Sequence, residues 1–204
     1  MSERINRRIE ELFEICLRSQ GELYLKAERA LVSAGTDAFL FLQEQAATAA
    51  DPFARVLASV LAVWVKSGGE VFERALAYID LVEKNAARSI LRTPRADSLA
   101  AALDKLFNAA VVEFLSVRLV KQPDWPQWKV AAILQYLAIE KDALTLAPLV
   151  RFASEKENRR YGQMVELTLK PFPAEDVGKA WQAEARYRGN PNPDDDPRKT
   201  SRAG

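Results

Sequence analysis

The stretch "PDWPQWKVAAILQYL", residues 123–137, places two prolines and two tryptophans within six positions, directly ahead of an apolar run. Proline lacks an amide donor and is tolerated only in the first turn of a helix. Pro123 therefore ends the preceding helix, and Pro126 opens the next one. Asp124 is expected to cap the new helix. The same arrangement occurs earlier in "ADPFARVLASVLAVWVKSGG", residues 50–69, where Asp51 and Pro52 stand before a second Ala/Leu/Val face. In both stretches a basic residue, Arg55 or Lys129, comes a few places after the acid. The stretch reads as a corner between helices. Its tryptophans are expected to close the core there, Trp128 more deeply. Trp125 is also a candidate partner contact, since tryptophan is enriched in binding hot spots.

Working outward, segment 3–18 carries Ile5, Ile9, Leu12, Phe13 and Cys16 at three- and four-residue intervals, one helical stripe. Cys16 is thus expected to be a buried structural thiol. Glu10, Glu11 and Glu14 lie on the other side and read as a solvated face rather than as catalytic carboxylates. A second helix begins at Glu22, with Gly35 suited to the position past its end. Thr36 and Asp37 open "DAFLFLQEQAAT", and Gly68-Gly69 closes the helix begun at Asp51. Trp64 falls on the apolar side with Leu57, Val60 and Leu61. The next helix ends at Thr93-Pro94, and residues 96–121 read as helical with a bend near Asn108. Pro148 is expected to kink a later helix or break its first turn. A last short helix carries Trp181. The end of the chain, "NPNPDDDPRKTSRAG", is too polar to bury anything and is expected to be disordered.

Composition bounds the function classes. Alanine and leucine are abundant and Val/Ile do not alternate, which favours helix over strand. No run approaches the ~18 apolar residues of a membrane span. The charged start "MSERINRRIEELFE" does not read as a signal peptide. A single cysteine fits a reducing compartment, and a cytoplasmic location is expected. The charge is nearly balanced, 29 basic against 28 acidic residues, which disfavours a dedicated nucleic-acid binder. There is no histidine. That removes serine–histidine and cysteine–histidine machinery and the commonest metal ligand. No Gly-rich phosphate loop, paired-cysteine site or nucleophile elbow is present. No enzyme activity, metal or cofactor is expected.

Paired in order, the helices give units at 36–67, 69–107, 109–141 and 142–170, a loose period of about 30–40 residues. Here the chain resembles HEAT-like repeats: an A helix, a turn with an aspartate, then an alanine-rich B helix entered by a basic residue. The stretches that carry the resemblance are "TDAFLFLQEQAATAADPFARVLASVLAVWV" and "AVVEFLSVRLVKQPDWPQWKVAAILQYLAIEKDALTLAPLVRF". The resemblance implies an all-α fold, a short right-handed α-α superhelix of antiparallel helix pairs. Residues 1–35 would cap it, 36–170 would form the repeats, 171–188 the last helix and 189–204 the tail. It further implies that Asp51, Arg55, Asp124 and Lys129 hold the turn positions at which Asp–Arg pairs link neighbouring units. The second and fourth units lack a clear turn aspartate, and an irregular helical bundle is the alternative architecture.

A superhelix of this kind offers a concave B-helix face to another protein, and the expected function is a non-enzymatic interaction module or adaptor. Candidate partner contacts are Arg92 and Arg95 around a helix end, and Arg159, Arg160 and Tyr161 in "EKENRRYGQ". Cations there also simply compensate a helix C-terminus. The alternative partner is a nucleic acid, as for the HEAT-like DNA glycosylases that this architecture resembles.

Overall fold

The computed structural model describes residues 3–87 and 109–188. They form ten α-helices and no strand: α1 (Glu3–Arg18), α2 (Gly21–Ser33), α3 (Thr36–Thr48), α4 (Pro52–Ser67), α5 (Glu70–Ala87), α6 (Ala109–Lys121), α7 (Gln127–Glu140), α8 (Leu146–Ser154), α9 (Gly162–Leu169) and α10 (Ala174–Tyr187). Short 3₁₀ turns at Ala143–Thr145 and Lys156–Tyr161 flank α8. The all-α class is as the sequence indicates. Among the described residues, no helix is long and apolar enough to cross a membrane. The expected bend at Asn108, the stop at Thr93-Pro94 and the tail at 189–204 lie outside the described residues.

The helix boundaries come from local chemistry. On α1, Ile9, Phe13 and Cys16 are buried along one stripe. The opposite face carries the exposed pairs Arg7–Glu11 and Glu14–Arg18 at i,i+4, each contributing about 0.2–0.5 kcal/mol. Asp51 caps α4: the Phe53 amide donates to its Oδ1 at 3.0 Å, and Pro52 occupies the first turn. At the other end Gly68 takes the left-handed conformation. The next residue, Gly69, is glycine for a steric reason, since a Cβ there would run into the Trp64 indole. Asp142 likewise accepts from the Leu144 amide at 2.9 Å, and Pro148 lies in the first turn of α8, as its sequence position requires.

At the 123–128 corner one expectation is corrected. Asp124 caps nothing: Pro126 holds the N-cap position of α7 in an extended conformation, with no side-chain cap. The helix starts two residues later than an Asp124 cap could serve. Trp125 and Trp128 are both partly buried and pack on the core. The stretch is a corner.

Packing concentrates on two helices. Every side chain of α6 from Val111 to Lys121 is buried, so this helix has no solvent face. It packs against α4, α5, α7 and α8, while α4 also touches α2, α3, α5 and α8. Between α4, α5 and α6, Phe72 and Phe114 stack at 4.4 Å and Trp64 lies 5.3–5.5 Å from both. Remote segments are bonded directly. The Gln20 side chain donates to the Val120 carbonyl at 2.9 Å, and Lys121 donates to the carbonyls of Leu17 and Ser19 at 2.8 and 3.1 Å.

Candidate functional site

Among the described residues, most of the buried charged side chains are bonded to one another in the interior. Arg118 sits over the rings of Phe114, Trp64 and Tyr24 at 4.9, 5.2 and 5.4 Å. One turn on, Lys121 lies between Phe53 and Tyr24 at 5.2 and 5.5 Å. Arg151 of α8 comes next, 4.4 Å from the Phe53 ring and 4.2 Å from Tyr187. Cations and aromatic rings thus alternate from Trp64 to Tyr187, in contacts worth up to about 2 kcal/mol each when desolvated. Nε and Nη1 of Arg118 find no acceptor among the described residues, and the rings are what surrounds that guanidinium.

Carboxylates neutralise the column. Glu28 accepts from Arg118 at 2.7 Å and from the Tyr24 hydroxyl at 2.6 Å. Arg151 grips Asp51 through two bonds of 2.9 and 3.0 Å and also donates to Glu184 at 2.9 Å. Arg188 then joins Glu184 to Glu155 at 2.7 and 2.6 Å. Burial works against the Arg151 charge, but its bonds to Glu184 and Asp51 outweigh this and hold the group above its ordinary range. Lys121 has carbonyls rather than a carboxylate for partners. Burial pushes its ammonium down to about 8, against a pull from Cys16 and with help from Arg151. Burial, reinforced by Glu28, lifts the Cys16 thiol to about 12 and the Tyr24 hydroxyl well above its ordinary value. The column is a structural device: it fixes how α2, α4, α6, α8 and α10 meet.

The residues singled out from sequence are dispersed. Arg92 and Arg95 lie outside the described residues. Arg159 and Arg160 are exposed on the second 3₁₀ turn, with Arg160 4.9 Å from the Tyr161 ring. Tyr161 itself is buried, its ring 5.7 Å from Phe152, so it does not present a surface contact. Trp125 is half-buried and covers Lys129 at 4.8 Å, while Lys129 reaches Asp80 at 2.9 Å. Arg55 donates to the Ala49 carbonyl. Asp51 does bind an arginine, but that arginine is Arg151, 100 positions on, instead of one in the next turn.

A surface feature that was not singled out from sequence is a groove of about 480 Å³ between α3 and α4. One wall is Phe39, Gln43, Ala46 and Ala47 of α3; the other is Ser59, Ala62, Val63 and Lys66 of α4. Both sets are spaced three and four apart, so each is one helical stripe. Gln43, Ala47 and Lys66 are exposed, and Leu40, about one turn before Gln43 on α3, is 53% exposed. Glu113 of α6 is buried, only 8% exposed. Burial pushes Glu113 up, Ser59 opposes the shift and the charge of Asp142 adds to it. Alanine at three lining positions leaves the wall low enough for another backbone to approach. The signal in the sequence was the run of alanines in "QEQAATAA", which is as readily read as plain helix propensity.

Comparison with protein-family models, with curated proteins and with solved structures finds no match for this chain.

Proposed function

We propose that this protein is a non-enzymatic binding module that receives a helical segment of a partner protein in the groove between α3 and α4. The observation that carries this reading is the groove: two helical stripes, one from each helix, with apolar Phe39, Ala62 and Val63 in its lining. An amphipathic helix laid into an apolar groove is a recurring mode of recognition. The interior charges do not compete for this role, since they are spent on one another.

The architecture that fits this reading is an irregular bundle wrapped round α6. In an open superhelix each helix contacts its neighbours and keeps one face in solvent. Burial of α6 on every side, and side-chain bonds that span 90 to 104 residues, support closure instead. The likeness to HEAT-like repeats then lies in helix-pair grammar, such as the Asp51-Pro52 entry, and the binding surface is a single groove in place of a concave B-helix face. Cys16, held as a buried thiol, fits a cytoplasmic location.

The test is site-specific photo-cross-linking in the native cell, with a benzoylphenylalanine at Ala47 and, separately, at the exposed Gln135 of α7. The expected result is a discrete cross-linked protein from position 47, lost when Ala46 becomes Phe, and none from position 135. Equal labelling from both positions, or none from 47, contradicts the proposal.

A further inference from the structure

The helix α10 is lightly held. Of its side chains only Val177 and Glu184 are buried, with Ala180 and Trp181 partly covered, and its main packing partner is α8. Its attachment is chiefly ionic: Glu184 accepts from Arg151 at 2.9 Å and from Arg188 at 2.7 Å, and Arg188 reaches Glu155 at 2.6 Å. Two features work against the docked helix. The Trp181 indole N–H is buried with no acceptor among the described residues, and water would satisfy this donor once the helix lifted. Gly178 stands in the helix interior, where glycine disfavours helix, yet a Cβ there would meet nothing within 4 Å, so packing does not require it. The chain enters α10 through Pro171 and Pro173, and Pro173 takes the N-cap position with no side-chain cap. Phe172 between them is buried, a fixed pivot at the base of the helix.

What α10 covers does not depend on it. Arg151 keeps both bonds to Asp51, at 2.9 and 3.0 Å, so no uncompensated charge is left when Glu184 departs. Asp51 goes on capping α4, and Arg118 and Lys121 have their partners on α2 and α1. We propose that α10 is a latch, which lifts and melts as a unit beyond Phe172 while the rest of the described fold stays intact. A detached helix of this length is not stable alone in water, so release and melting are one event. Opening takes away the Tyr187 ring, 4.2 Å from the Arg151 guanidinium, and the Ala180 and Ala183 side chains that line a small cavity with Pro52, Phe53 and Ala147. The open form therefore presents Arg151 on an apolar seat that the closed form hides.

The experiment is native-state thiol labelling of the full chain carrying Val177→Cys, with Cys16 of the same molecule as the reference for global unfolding. Val177 is 1% exposed and Cys16 is fully buried, so each thiol reacts only when its surroundings open. The thiol introduced by Val177→Cys is expected to react at least 100-fold faster than Cys16, and at least tenfold more slowly than in urea-unfolded chain. Adding Gly178→Ala is expected to slow it about fivefold, the equivalent of ~1 kcal/mol of helix propensity. Adding Glu28→Ala, remote from α10, is expected to speed Cys16 and leave the Val177→Cys thiol unchanged. Equal rates for the two thiols, both raised by Glu28→Ala, overturn the proposal, because α10 then opens only with the whole molecule. Reaction at the unfolded-chain rate also overturns it, since a latch must close. Amide hydrogen exchange of the unsubstituted protein reads the same opening without a probe. The amides of Trp181 to Glu184 are expected to exchange at least 100-fold faster than those of Leu115 to Leu119, after correction for intrinsic rates. Equal protection of the two sets overturns the latch whatever Val177→Cys does to the fold.

Discussion

Replacing Glu28 by alanine tests the buried column where its charges are least replaceable. Glu28 and Arg118 have side chains only 3% and 2% exposed, and their 2.7 Å bond is the sole carboxylate contact of that guanidinium among the described residues. Removing the acid leaves a positive charge in an interior of aromatic rings and strips the Tyr24 hydroxyl of its acceptor. Breaking a buried pair by removing one partner costs about 3–5 kcal/mol, since the remaining charge is uncompensated. Total stabilities are about 5–15 kcal/mol, so the loss is a large share of the whole. At about 2–4 °C per kcal/mol for a chain of this size, Tm is expected to fall by roughly 6–20 °C. Urea titration followed by circular dichroism reads the effect as a lower midpoint with an unchanged slope. The double variant Glu28→Gln with Arg118→Met removes both charges and is expected to recover most of the loss. A cost below about 1 kcal/mol for Glu28→Ala, the range of exposed pairs, would refute the reasoning, because it would mean that water reaches Arg118.

Other perturbations give separate signatures. Asp51→Ala removes a helix cap, typically about 1 kcal/mol, together with the bidentate partner of Arg151; in urea titration it is expected to cost at least about 1–2 kcal/mol more than Asp142→Ala, which removes a cap alone. A similar cost for the two would show that the Arg151 bond adds nothing. The folded-state pKa of Lys121 is depressed to about 8 from 10.5, so its contribution to stability is fullest above 10.5 and is lost as pH falls through 8. The stability of Lys121→Met relative to the native protein should therefore decline by up to about 3 kcal/mol as pH rises from 7 to 10.5, at about 1.36 kcal/mol per unit; a flat difference contradicts the burial of that ammonium. With its thiol pushed up to about 12 and no solvent access, Cys16 should react with an aromatic disulfide reagent at about pH 8 only as fast as the chain unfolds, whereas immediate labelling would place it at the surface.

What the sequence disclosed was what neighbouring residues decide. The stripe of Ile9, Phe13 and Cys16, the Asp51-Pro52 entry, the stop at Gly68 and the early proline of α8 depend on positions within one or two turns, and all are found as read. Asp124 failed as a cap for a local reason too, because the second proline shifts the start of α7 beyond its reach. Tyr161 looked exposed beside two arginines, yet the 3₁₀ turn carries it inward onto Phe152. The charged interior was hidden for a different reason. Glu28, Arg118 and Arg151 sit among ordinary polar helix residues, and nothing local distinguishes a charge facing water from one matched by a partner 33 to 100 positions away. The groove was equally silent, since its walls come from two helices whose rotation about each other the periodicity leaves open.

The most direct test of the proposed function is an amide chemical-shift titration of the isotope-labelled protein with a short amphipathic helical peptide that carries one alanine/leucine stripe. Saturable shifts are expected at Phe39, Gln43, Ala46, Ser59, Val63 and Lys66, with α10 and the 3₁₀ turn at Lys156–Tyr161 unmoved. Shifts centred on Arg159 and Arg160, or spread without saturation over the whole surface, would contradict a docking groove between α3 and α4.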